Sequence, residues 1–237
     1  NLCFETREGI VKHCTLEKAR QLGELGERFV NRTQPSLEAQ ICNLADEIAY
    51  NAHDIDDGVR SGLLTLEQLQ EVPLFERYRA QALEDHPALA RAPRRLLYEA
   101  IRRMLSAQVY DVIDATRQAL AQANPQQVDD VRAAPALVCF SAAMREQSLG
   151  LKRFLFRNLY RHPQVMATTA RAQQVVRELF AAYLAQPAQM KPAFAARAQA
   201  SDGDSARARV VADFIAGMTD RYAASEHARI TGQQLLM

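Results

Sequence analysis

Apolar residues along the chain recur at helical spacing, three and four apart, and no stretch of useful length alternates as a strand would. The most ordered stretch is PSLEAQICNLADEIAYNAHDIDDGVRSG, residues 35–62. Ser36 follows Pro35 as an N-cap, and Glu38 lies in the first turn, where the helix dipole favours negative charge. Gly62 stands just past the last periodic residue, where a left-handed cap is wanted. At about 100° per residue, Leu44, Ile48, Ile55 and Val59 gather on one side. Asp46, Tyr50, His53 and Asp57 gather almost opposite, with Asp54 at their edge. The pattern predicts a central helix over 35–61 whose polar side is either a solvated surface or the wall of a polar site.

The same periodicity organises the rest. Residues 4–14 read as a short helix or turn, followed by a helix over roughly 16–31. Thr65 and Gln68 form a capping box that opens TLEQLQEV, which Pro73 ends or restarts. After a proline-punctuated connection at 85–93, a long helix runs from Arg94 to about Gln122, with Leu97, Ile101, Met104, Leu105, Val109, Val112 and Ile113 among its apolar positions. Residues 124–136 form a loop-rich break. Helices follow over Ser141 to about Arg161, over 164–185 and over 207 to about 230, the last preceded by the loop SDGDSA. Gly217 inside that last pattern is expected to mark a close approach. Pro187 and Pro192 frame a short segment. The fold class predicted is all-α.

Composition sharpens this. Ala, Leu, Arg, Glu and Gln dominate while Gly and Pro are few, which favours helix. The net charge of +1 makes no global demand for nucleic acid, although it leaves a local basic patch open. No run approaches the roughly 18 apolar residues of a membrane span, and the first residues lack the pattern of a signal peptide. Cys3, Cys14, Cys42 and Cys139 show neither CxxC pairing nor zinc-ligand spacing, so free thiols and a cytoplasmic location are expected. P-loop, GxGxxG and GxSxG motifs are missing, which leaves kinase, Rossmann and serine-hydrolase readings unsupported.

The wording of the central helix carries a resemblance. LADEIAYNAHDIDDG resembles the signature of bacterial deoxyguanosine triphosphate triphosphohydrolase-like proteins, a branch of the HD-domain metal-dependent phosphohydrolases. REGIVKH (7–13), YEAIRRMLSAQVYDVIDAT, LKRFLFRNLYRHPQV (151–165) and DFIAGMTDRYA (213–223) extend the resemblance in family order. It implies an HD-type helical bundle and a divalent metal held by a His, a His-Asp doublet and a last Asp, here Asp46. Mg, Mn or Fe all suit such an oxygen ligand. The other ligands are expected upstream of residue 1, so the chain is expected to be a C-terminal portion, inactive alone.

The resemblance also assigns substrate contacts. It places the Tyr50 ring against the deoxyribose, leaving no room for a 2′-hydroxyl, and has the Asp54 carboxylate accept from the 3′-hydroxyl. Steps of four residues advance about 6 Å each along one flank, which suits that arrangement; a half-buried Tyr beside a surface Asp is the plainer alternative. Lys12 is expected to reach the triphosphate as a point charge, with His13 a weaker neighbour, although on residue type alone Lys12 reads as a surface lysine. Tyr98 is expected near the nucleotide. His53-Asp54 spells the metal doublet, but His53 lies about 10 Å along the axis from Asp46 and cannot share its ion. His53 is read as a substrate-side residue or a partly buried histidine. Arg153, Arg157 and Arg161 form a basic stripe that suits substrate phosphates, an effector nucleotide or single-stranded DNA, or else covers apolar neighbours with its stems.

Two functional readings follow. By resemblance the full-length protein is a triphosphohydrolase of deoxynucleoside triphosphates, with residues 1–72 closing the catalytic core, residues 73–237 packed on it, and a homo-oligomer, often a hexamer, as the assembly. The alternative is a non-catalytic helical module that binds nucleotide or partner subunits.

Overall fold

The computed structural model describes residues 1–11 and 14–235, and among them every regular element is helical. The chain is all-α. It divides into two compact units, Asn1–Leu159 and Tyr160–Met237.

The first unit contains α1 (Phe4–Ile10), α2 (Leu16–Gln21), α3 (Glu27–Asn31), α4 (Leu37–Arg60), α5 (Leu66–Leu69), α6 (Pro73–Asp85), α7 (Pro93–Ala123), α8 (Val128–Ala133) and α9 (Ala142–Leu155). Helix α4 begins as its sequence dictates, with the Ser36 side chain accepting from the Ala39 N–H at 3.4 Å. It ends at Arg60, and Gly62 two residues on has a φ of +75°, in the left-handed region that glycine enters without penalty. Gly58 permits a close approach inside the helix: a Cβ there would lie 2.5 Å from Leu64 Cδ1. The Thr65–Gln68 capping box is present in both directions, at 3.2 and 2.9 Å. Pro73 occupies the first turn of α6, where its missing N–H costs nothing.

Three single-helix expectations resolve into broken ones. The span 16–31 is interrupted at Gly23 (φ +55°), which turns α2 through a 3-10 segment into α3. The helix expected over 141–161 is α-helical only to Leu155 and continues as a π turn, Phe156–Tyr160. The span 207–230 breaks after Gly217, which caps a helix end instead of marking a tight contact. Conversely, the loop-rich 124–136 contains the short helix α8.

The core of the first unit is built by Ile55 from α4, Leu74 and Phe75 from α6, Leu97, Ala100 and Met104 from α7, and Leu151, Phe154 and Leu155 from α9. Leu69 and Val72 belong to it with Leu74, so residue 72 lies within a continuous core. Two polar clamps, the first buried and the second half-buried, join distant segments. The Gln40 side chain accepts from the Leu137 and Val138 N–H groups at 2.9 and 3.1 Å and donates to the Pro35 carbonyl at 3.0 Å. The Asp111 carboxylate accepts from the Ser141 N–H and hydroxyl at 2.8 and 2.6 Å, anchoring the start of α9 to α7.

The second unit contains α10 (Pro163–Ala185), α11 (Pro192–Gln199), α12 (Asp204–Ala216) and α13 (Asp220–Thr231). Val175, Leu179 and Tyr183 from α10 pack with Val211 and Phe214 from α12 and Ala195 and Ala198 from α11. The Tyr183 and Phe214 rings meet edge-on, centroids 5.3 Å apart, and Phe194 tilts against Phe214 at 4.8 Å. The Tyr183 hydroxyl donates to Glu226 at 2.7 Å, and burial, reinforced by that carboxylate, pushes its pKa up. Arg229 in turn donates to both Glu226 oxygens and lowers that carboxyl's pKa. His227 is fully buried, its Nε2 2.6 Å from the Glu178 carboxylate.

Candidate functional site

Helix α4 displays two faces. Ile48 and Ile55 are buried, Leu44 and Val59 half-buried, as the periodicity predicts. On the opposite flank Asp46 and Tyr50 are exposed, Tyr50 by 59%, and Asp54 is half-buried. The helix thereby keeps Asp46, Tyr50 and Asp54 in file along one flank, about 6 Å apart per step. His53 is exposed in this chain, not partly buried. Beside the file, Glu47 pairs with Lys152 of α9 at 2.8 Å.

A second constellation fixes the chain just before residues 12 and 13. Glu8 is buried, 1% exposed, and the Arg132 guanidinium grips both its oxygens at 2.8 and 3.1 Å. Arg28 approaches the same carboxylate at 3.5 Å and donates from Nη2 to the Val11 carbonyl at 3.1 Å. Burial lowers the pKa of Arg28 and the Glu8 charge works against that shift. Lys12 and His13, expected at the triphosphate, lie outside the described residues. A groove of about 520 Å³ beside this clamp is lined by Glu5, Gly9 and Ile10 of α1, by Arg28, and by Glu38 and Asn43 of α4. Asn43 lies one turn before Asp46.

Tyr98 sits on α7, 41% exposed, with Arg94 donating to its hydroxyl at 3.4 Å. It separates a groove containing Asp56 and Arg60 from another containing His86, Arg95 and Arg102. None of Asp46, Tyr50 and Asp54 lines either groove. Close by, Glu99 receives Arg102 and Arg103 together, which hold its carboxyl down to about 2. Arg153, Arg157 and Arg161 are all exposed. They do not form one α-helical stripe, because the π turn begins at Phe156 and changes the repeat between Arg153 and Arg157. Arg161 follows that turn, in the second unit.

Among the described residues no group of three or more His, Cys, Asp or Glu side chains converges as a metal site. Asp46 contributes one hard oxygen donor, and one donor does not make a site. The residues that pin the 8–11 segment, Arg28 and Arg132, were invisible to sequence reading: Glu8 and Arg132 are 124 positions apart, and nothing in their spacing announces a pair.

Comparison with known proteins places these helices in a class. Residues 138–229 match the family described as the phosphohydrolase-associated domain. Over 230 residues, 97% of this chain, it is 54% identical to a deoxyguanosinetriphosphate triphosphohydrolase-like protein of Bordetella pertussis, strain Tohama I, and covers 58% of that protein. A protein of the same description from Ralstonia nicotianae is 52% identical over 100% of the chain and 59% of its own length. One from Nitrosomonas europaea is 44% identical over 97% of the chain and 60% of its own. Over nearly its whole length the chain is similar to deoxyguanosinetriphosphate triphosphohydrolase-like proteins. It spans about three fifths of the length of these curated relatives.

Proposed function

We propose that the full-length protein carrying this chain hydrolyses deoxynucleoside triphosphates to a deoxynucleoside and intact triphosphate. In this reading the chain supplies one wall of the site, and ligands from outside it complete a divalent-metal centre at Asp46. The observation that carries the proposal is the file of Asp46, Tyr50 and Asp54 on the solvent-facing flank of α4, in a chain similar to these relatives. When bound, a cation of the Mg, Mn or Fe kind acidifies a coordinated water and polarises a phosphoryl oxygen. Tyr50 offers an exposed ring to a sugar face, and Asp54 offers a carboxylate to a hydroxyl one step further along.

The test is Asp46→Ala in the full-length protein, assayed on all four deoxynucleoside triphosphates with Mg and Mn compared. Turnover is expected to fall on the order of 10³-fold or more, about 4 kcal/mol of transition-state stabilisation, with the melting temperature unchanged. The product should be triphosphate, not pyrophosphate. Undiminished turnover in the variant would remove Asp46 from the chemistry and favour a non-catalytic helical module.

A further inference from the structure

Lys152 of α9 brings a cation to the polar flank of α4 from a second helix. Its Nζ lies 2.8 Å from Oε2 of Glu47, and the two side chains are 42% and 30% exposed. At about 1.5 Å of rise and 100° of turn per residue, Glu47 stands beside Asp46 along the axis, and Tyr50 follows one turn on, about 60° round. The ammonium is therefore held level with the stretch between the Asp46 carboxylate and the Tyr50 ring, on the side of the file where α9 packs.

The charges around it decide what it can meet. This flank carries the carboxylates of Asp46, Glu47, Asp54 and Asp57, and Arg60 of the same helix is spent on Asp57 at 2.9 Å. A phosphate ester brought there adds negative charge to negative charge, so its oxygens find an opposite sign where Lys152 reaches in. A lysine ammonium has three N–H donors, and Glu47 takes one, which leaves two for a ligand. Glu47 thereby aims the ammonium without exhausting it. Arg153, next along α9, is turned back on its own helix, donating to the Leu149 carbonyl at 3.3 Å.

We infer that Lys152 is a substrate contact, binding the phosphoryl group joined to the deoxyribose. The inference rests on the hydrolase reading and deepens it, adding a residue of α9 to the wall that α4 provides. Lys152 donates N–H bonds to phosphoryl oxygens and transfers no proton. The bond made runs from a water oxygen to that phosphorus, and the bond broken runs from the phosphorus to the 5′-oxygen, which leaves protonated by the water's hydrogen.

The experiment measures kcat/KM for deoxynucleoside triphosphates in full-length protein carrying Lys152→Gln or Glu47→Gln. Lys152→Gln is expected to lower kcat/KM on the order of 100-fold, and Glu47→Gln by less than about 10-fold, because the ammonium survives the loss of its partner. Half-exposed ion pairs add little to stability, so both melting temperatures should stay within about 2 °C of the unaltered protein. Equal losses in the two variants would overturn the inference, since the ion pair and not the ammonium would then matter. A second measurement needs no turnover: the Kd of a deoxynucleoside 5′-monophosphate beside that of the parent deoxynucleoside. Lys152→Gln should weaken the monophosphate about 10-fold and leave the nucleoside unchanged. An unchanged monophosphate Kd, or equal weakening of both ligands, overturns the inference. Turnover abolished by Asp46→Ala but untouched by Lys152→Gln sinks this inference and spares the hydrolase reading; full turnover in Asp46→Ala sinks the reading itself.

Discussion

The two units solve the same problem differently. The second closes on itself: Tyr183, Phe214 and Leu179 are buried, and the polar groups brought inside with them, the Tyr183 hydroxyl and the His227 ring, meet Glu226 and Glu178. The first buries a cluster around Phe75 and Met104, yet leaves Ile41, Val109 and Ile113 exposed along one groove and a file of polar side chains on the other flank of α4. A helix that is apolar on one side and chemically furnished on the other needs cover for the first and access for the second. The second unit leaves Met166 and Val176 of α10 exposed outside its core.

That contrast can be broken by substitution. The largest effect is expected in the first unit, where Arg132→Met strips the bidentate partner from buried Glu8 and leaves only Arg28 at 3.5 Å. Denaturant unfolding should show a loss of about 3 kcal/mol, much of it restored by Glu8→Leu in the same protein, because an unpaired buried charge costs more than an apolar pair. A smaller effect is expected in the second unit: Tyr183→Phe deletes one hydroxyl while Arg229 still holds Glu226, for about 1 kcal/mol by the same measurement. If Tyr183→Phe proves the costlier change, the second unit depends on its polar network more than on its core.

The smallest effect appears only in acid. Glu99 has a folded pKa of about 2, held down by Arg102 and then Arg103, against an ordinary value of 4.5. A depressed carboxylate contributes its stability above the unfolded value and loses it as pH falls towards the folded one. Between pH 4.5 and about 2, Glu99→Gln should therefore show a shallower loss of stability than the unaltered protein, with the two curves running parallel above pH 5. A parallel course throughout would mean the pairing is equally strong in the unfolded chain.

Much of the fold was legible because its determinants are local. Ser36, Gly62 and the Thr65–Gln68 box act within a turn of the helix ends they set, and all stand where the residue types demand. Boundaries were misjudged where a local break competed with a continuing apolar period. Gly23 and Thr219 interrupt patterns that read as unbroken, and the π turn at Phe156 leaves no signature in spacing. For the site, the file on α4 was readable as a flank, since one helix carries all three side chains. Tyr98 was not placeable, because its distance from that flank depends on how α7 crosses α4.

The sequence by itself determined the all-α class, the ends of α4, which of its faces is apolar and which carboxylates travel together on the other, since periodicity and capping act over a few residues. Only the tertiary structure decided that Arg132 reaches Glu8, that Gln40 holds the backbone at Leu137, and that α4 and α7 leave a groove uncovered. Those outcomes depend on burial summed over segments a hundred residues apart, and no local pattern records that sum.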